Sequence, residues 1–123
     1  MAGTIVFNSD FTVNNGANQQ GPTYVRASIT QTNAGGPSPG TVTATTVAAA
    51  ITPSASTLGI CRVVNLDSTN FVKIGPMSGG VLYPFMKLKP SEPPFIFRLM
   101  PGITIGVQSD TANCKVNIEI YED

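Results

Sequence analysis

Histidine is absent from the chain, and so is tryptophan. Without an imidazole there is no Ser-His-Asp or Cys-His arrangement, and both the commonest general base and the commonest metal ligand are missing. Charge is scarce as well: 11% of the residues are Asp, Glu, Lys or Arg, against roughly 25% in an average soluble domain. Seven basic and seven acidic side chains cancel to a net charge of zero. Small domains usually rely on a net charge of about 2–8 to stay apart in solution, so a surface largely covered by partners is expected. No Lys/Arg cluster of the kind that marks a nucleic-acid binder is present.

Long apolar runs are also lacking, and none approaches the ~20 residues that a bilayer-spanning helix needs. The opening "MAGTIVFNSD" has no basic stretch followed by an apolar one, so no signal peptide is expected and the product reads as soluble and made in a cytoplasm. Cysteine is limited to Cys61 and Cys114, far apart and without a CxxC spacing. Each falls in a strand-like run, where a small buried thiol packs as a hydrophobe; a disulfide or a reactive thiol are the alternatives.

What is present is strand after strand. In "TYVRASITQT" Val25, Ala27 and Ile29 share one side and Tyr24, Arg26, Ser28 and Thr30 the other. "GTIVFN" places Ile5 with Phe7, "NFVKIG" places Val72 with Ile74, and "YPFMKLKP" sets Met86 and Leu88 against Lys87 and Lys89. "PFIFRLM" puts Phe95, Phe97 and Leu99 inward, "GITIGVQ" does the same with Ile103, Ile105 and Val107, and "KVNIEIYED" with Val116, Ile118 and Ile120. Alternation of period two over short runs is the mark of half-buried antiparallel strands. Turn-forming stretches rich in Gly, Pro, Asn and Asp separate them. The expected fold is all-β: an antiparallel β-sandwich, jelly-roll-like, with about eight short strands. "TVTATTVAAAI", residues 41–51, reads equally well as strand or helix, being both β-branched and Ala-rich. "NAGGPSPG", residues 33–40, is expected to be an exposed loop or an arm that orders against a neighbour.

The two parts of the chain differ. Residues 1–57 carry only Asp10 and Arg26 as charges, and residues 58–123 hold the rest with most large apolar side chains. The first part has too few bulky residues for its own core, so a single sandwich domain over 1–123 is expected, the first part supplying outer strands or an arm.

Candidate chemistry is thin. "NLDSTN", residues 65–70, groups Asp67, Ser68, Thr69 and Asn70. No base is at hand to activate a hydroxyl there, whereas Asn and Asp close turns on their own backbone, so a structural corner is expected. No acidic spacing matches a cation loop, leaving a cation shared between subunits as the only metal alternative. "GPMSGG" lacks the Lys-Ser/Thr pair of a phosphate loop. No catalytic residue, cofactor or metal ligand is expected. Arg62, Lys73, Lys87, Lys89 and Arg98 form a basic group in the middle strands, read as the solvated face of a sheet in preference to a surface for an acidic partner.

The run "NLDSTNFVKIG", followed by "PFMKLK", "FRL" and "SDTA", resembles a recurrent class of small tailed-bacteriophage virion proteins. Asn65, Leu66, Asp67, Thr69, Asn70, Phe71, Val72, Ile74 and Gly75 carry the corner of that pattern. Pro84, Phe85, Lys87, Leu88 and Lys89, then Phe97, Arg98 and Leu99, then Ser109 to Ala112 carry the rest. The chain departs from it at Ser91, where the pattern has Gly. Residues 1–57 lie outside the likeness. It implies a non-enzymatic structural part of the virion, a capsid decoration (cement) protein or else a head–tail connector, tail or fibre component, the last with glycan or receptor binding. The implied partners are the major capsid protein or other virion proteins, with a homo-oligomer, a trimer above others, and neither nucleic acid nor membrane. Phe7, Phe11, Tyr24, Arg26, Pro37, Pro39, Lys87 and Lys89 are the interface candidates.

Overall fold

The structure, a computed structural model, describes residues 3–15, 18–31, 35–54 and 57–123, and leaves the side chains of residues 11–25 undescribed. It is all-β and antiparallel, and the chain divides into two compact units, Met1–Ala34 and Gly35–Asp123.

The first unit is a two-stranded ribbon of β1 (Gly3–Asn15) and β2 (Asn18–Gln31). At ~3.3 Å per residue each strand extends roughly 40 Å. Ile5 and Phe7 are half-buried on the face they share with Ala27 and Ile29, while Val6, Asn8, Arg26 and Ser28 on the other face are exposed. The register slips between Phe11 and Val13. These strands are long, not short, and make a sheet of their own instead of outer strands of the sandwich.

The second unit is the sandwich. One sheet has the order β3 (Ser38–Ala44), β11 (Cys114–Glu122), β5 (Leu58–Asn65), β9 (Phe95–Arg98). The other runs β4 (Ala49–Ala50), β10 (Ile105–Ser109), β6 (Val72–Ser78), with β6 also pairing β7 (Val81–Leu82) and β8 (Met86–Leu88). The ladders nest: β3 pairs β11, β4 pairs β10, β5 pairs β9 and β6 pairs β8. Cross-links between β11 and β5, and between β10 and β6, then complete the two sheets.

Alternation places the core between them. Cys61, Val63, Val116, Ile118 and Ile120 of one sheet meet Val72, Ile74, Leu88, Ile105 and Val107 of the other, with Ile51 and Leu99 from the connections. Burying each such side chain is worth roughly 1.5–3 kcal/mol.

Several expectations are corrected. Residues 41–51 are strand to Ala44, then a turn in which Val47 N–H donates to Thr45 Oγ1 at 3.2 Å, then β4. Thr41, Val42 and Thr43 prefer a pleated surface to a helix. The exposed loop expected over 33–40 ends early, because Ser38, Pro39 and Gly40 already belong to β3, and Asn33 and Ala34 lie outside the described residues. Pro39 is tolerated there since β3 is an edge strand, paired only with β11. Ile103 sits outside β10 and is exposed, its N–H closing a turn onto Met100 O at 3.4 Å. Phe95, expected inward, is 42% exposed: it opens a short edge strand behind the stiff Pro93–Pro94 pair, where one neighbouring strand gives little cover.

Ser91, the departure from the Gly of the phage pattern, has φ +63°. It follows Pro90 in a turn from Lys89 to Glu92, where Lys89 N–H donates to Glu92 Oε2 at 2.7 Å. Pro followed by a left-handed residue is the type II turn pattern, which favours Gly at the second of the two. Ser91→Gly should therefore stabilise the fold by about 0.5 kcal/mol, since relief of left-handed strain exceeds the chain entropy Gly adds. A raised denaturation midpoint would show it, and a lowered one would contradict the turn assignment.

Candidate interaction surface

The polar corner after β5 is a structural device. Asn65 Nδ2 donates to Asn70 O at 2.9 Å and to Leu88 O at 3.0 Å, and its Oδ1 accepts from Asp67 N–H at 2.8 Å. Asp67 Oδ2 in turn accepts from Thr69 N–H at 3.0 Å and from Asn70 N–H. Thr111 Oγ1 donates to Asn70 Oδ1 at 2.9 Å, tying the turn before β11 to the same corner. Asn65 and Asp67 thus bond backbone groups of the corner, as a turn requires.

The backbone donors from Asn70 and Thr69 hold the Asp67 carboxyl below its ordinary value of 3.8. Below pH 3.8 the unfolded chain takes up this proton first, so stability falls as pH drops toward the folded-state value and is fully present above 3.8. Asp67→Asn should flatten that acid limb in denaturation series run across the interval.

Cys61 and Cys114 are both unpaired and buried. Burial pushes the Cys61 thiol up to about 12 and raises Cys114 also, in the latter case with help from the carboxylates of Asp67 and Asp110. Cys114 Sγ–H donates to Asn65 Oδ1 at 3.2 Å. Both are packing residues in their protonated form, since only a thiolate is a good nucleophile.

The basic group does not form one face. Arg62 lies directly opposite Glu119 on β11 and pairs with it at 2.7 Å, and Arg98 pairs with Asp123 at 3.1 Å. Lys73 and Lys87 are on the other sheet, directly opposite each other across β6 and β8.

Beside them lies the most distinctive surface of the sandwich unit. Phe85, just ahead of β8, meets Phe97 of β9 edge-to-face with ring centroids 6.3 Å apart, and Phe95 stacks obliquely on Phe97 at 5.5 Å. This trio bridges the two sheets at the rim where β8 and β9 lie. Phe85 is 62% exposed and nearby Tyr83 58%. Lys87 Nζ stands 3.9 Å from the centroid of the Phe71 ring. Phe71, Lys73, Pro84, Phe85, Met86 and Lys87 line an open cleft of about 370 Å³.

Of the interface candidates, Lys87 and Lys89 are exposed, and Lys87 forms part of this cleft. Pro37 and Pro39 are exposed at the start of β3, each after a cis peptide bond. Phe7 is half-buried and Arg26 exposed on the ribbon. Phe11 and Tyr24 sit opposite Thr23 and Asp10 in the ribbon's register, but their side chains lie outside the described residues. Phe71, Phe85, Phe95 and Phe97 were not among the sequence candidates, and Lys73 entered only as a member of the basic group. The signal for Phe85 was available: carried one step back from Lys87, the alternation puts it on the same outward side.

Among the described residues, no three His, Cys, Asp or Glu side chains are grouped to hold a metal ion. No described helix is long and apolar enough to cross a membrane. No protein-family model, curated protein or solved structure matches the chain significantly.

Proposed function

We propose that this is a non-enzymatic structural protein of a tailed-bacteriophage virion, a capsid decoration protein that acts as a homo-oligomer, with a trimer favoured. The observation that carries the reading is the aromatic rim in which the exposed Phe85 and Phe95 flank the half-buried Phe97, on a chain of zero net charge. Contiguous exposed apolar surface on a small domain marks an interaction site, and aromatic residues are enriched at such interfaces. The nested ladders are the order a jelly roll would have, an architecture used by capsid domains among others. The corner residues that carry the phage likeness make a turn, which fits a role in packing rather than in reaction.

The ribbon supplies a second reason to expect partners. A lone two-stranded hairpin is marginally stable in water, and among the described residues neither edge of this one has a further strand paired to it. Its cover, on this reading, comes from assembly. Deleting Met1–Ala34 should leave the second unit folded and sharply reduce attachment to particles, as read by co-sedimentation. Undiminished co-sedimentation of the truncated chain would remove the ribbon from the role.

A further inference from the structure

We propose that the Lys73–Lys87 cleft is a docking site for an acidic, apolar segment of a partner protein, one that presents an Asp or Glu carboxylate between the two lysines and an apolar side chain to Phe71 and Phe85. The proposal stands on the cleft's chemistry and holds whichever assembly the protein serves.

Three observations support it. First, Lys73 and Lys87 are direct cross-strand partners on the outward side of β6 and β8, with their neighbours Val72, Ile74 and Leu88 in the core. Like charges so placed lie about 5 Å apart at Cβ, and their direct pairing works against the sheet. Second, four of the chain's seven carboxylates are committed elsewhere. Glu119 and Asp123 pair with arginines, Asp67 closes its corner and Glu92 its turn. Neither ion pair among the described residues involves Lys73 or Lys87.

Third, the lining selects its ligand. Besides the two lysines the cleft offers Phe71, Pro84, Phe85 and Met86, so no side chain in it is a strong hydrogen-bond acceptor. A sugar, whose hydroxyls need acceptors as well as donors, is poorly matched. A nucleic acid would call for a longer basic stripe than two lysines. An anion on an apolar body meets donors and rings together, and Lys87 is already held over Phe71. Charge complementarity to the lysine pair thus specifies an acidic segment, and the exposed Phe85 ring its apolar neighbour.

The test uses the full-length protein, isotope-labelled, with three probes followed by amide chemical shifts. These are a blocked heptapeptide of alternating Leu and Asp, the same peptide with Asn for Asp, and sodium phenylacetate as a free small acid. The acidic peptide should bind and shift Phe71, Lys73, Phe85 and Lys87. Lys73→Gln and Lys87→Gln should each weaken it about fivefold, and both together roughly twentyfold, as expected for partly exposed ion pairs. Lys73→Gln should at the same time raise the melting temperature of the unliganded protein slightly, which also checks that the variant is folded. Equal binding of the Asn peptide, or no loss in the lysine variants, would overturn the site. Phenylacetate binding as tightly as the acidic peptide would overturn the segment as its ligand.

Discussion

Gly75→Ala is expected to cost about 3 kcal/mol, through overpacking against backbone that cannot retreat. A Cβ at Gly75 would overlap the Tyr83 carbonyl oxygen and lie 2.8 Å from Pro84 Cα. That segment is pinned on both sides: Tyr83 N–H donates to Pro76 O at 2.9 Å and Phe85 N–H to Ile74 O at 3.1 Å. Making room would break one or both of these bonds and pull Phe85 from the aromatic rim. Gly106, paired with Gly75 across β10 and β6, provides the control. Its Cβ would meet the flexible Met77 side chain, so Gly106→Ala should cost less than about 1 kcal/mol after Met77 moves aside. Denaturation midpoints of the two variants measure the difference, and equal losses would contradict the close approach at Gly75.

Asn65→Ala should cost still more, about 4 kcal/mol, a large share of the 5–15 kcal/mol of a typical domain. Asn65 is 6% exposed and joins four groups: the carbonyls of Asn70 and Leu88, the Asp67 N–H and the Cys114 thiol. Leu88 belongs to β8 and Asn65 to β5, so this one amide ties the two sheets together beside the corner. Truncation leaves buried backbone groups without partners, and that is where the penalty lies. Asn65→Asp would set a carboxylate against two carbonyl oxygens and should also be destabilised, recovering partly at low pH where the acid can donate. Equilibrium unfolding of both variants at neutral and acidic pH checks the pair of expectations.

The sandwich was legible because its long strands alternate cleanly. In β11, Val116, Ile118 and Ile120 turn inward while Lys115, Asn117 and Glu119 turn out, as read from period two alone. The corner at 65–70 was legible too, since Asn and Asp at that spacing satisfy their own backbone. Less was visible where local rules compete. Pro39 reads as a loop residue until β3 is known to be an edge, and the two-residue strands β4 and β7 have no period to detect. The outer ends of β1 and β2, in "GTIVFN" and "TYVRASITQT", were seen as strands, yet nothing in their composition told that the two pair with each other in a sheet of their own. The cleft was hidden for another reason. Lys73 and Lys87 become neighbours only through the β6–β8 register, and Phe85 and Phe97 only because two sheets close on each other at one rim. Such juxtapositions belong to topology, which alternation does not encode.

Quantitative mass spectrometry of purified particles tests the central proposal most directly, by counting copies of this chain. A decoration protein held by its apolar rim predicts a stoichiometry in the hundreds, in step with the capsid subunits. A count of a dozen or fewer would move it to a neck or tail position, and its absence from the particle would contradict the account.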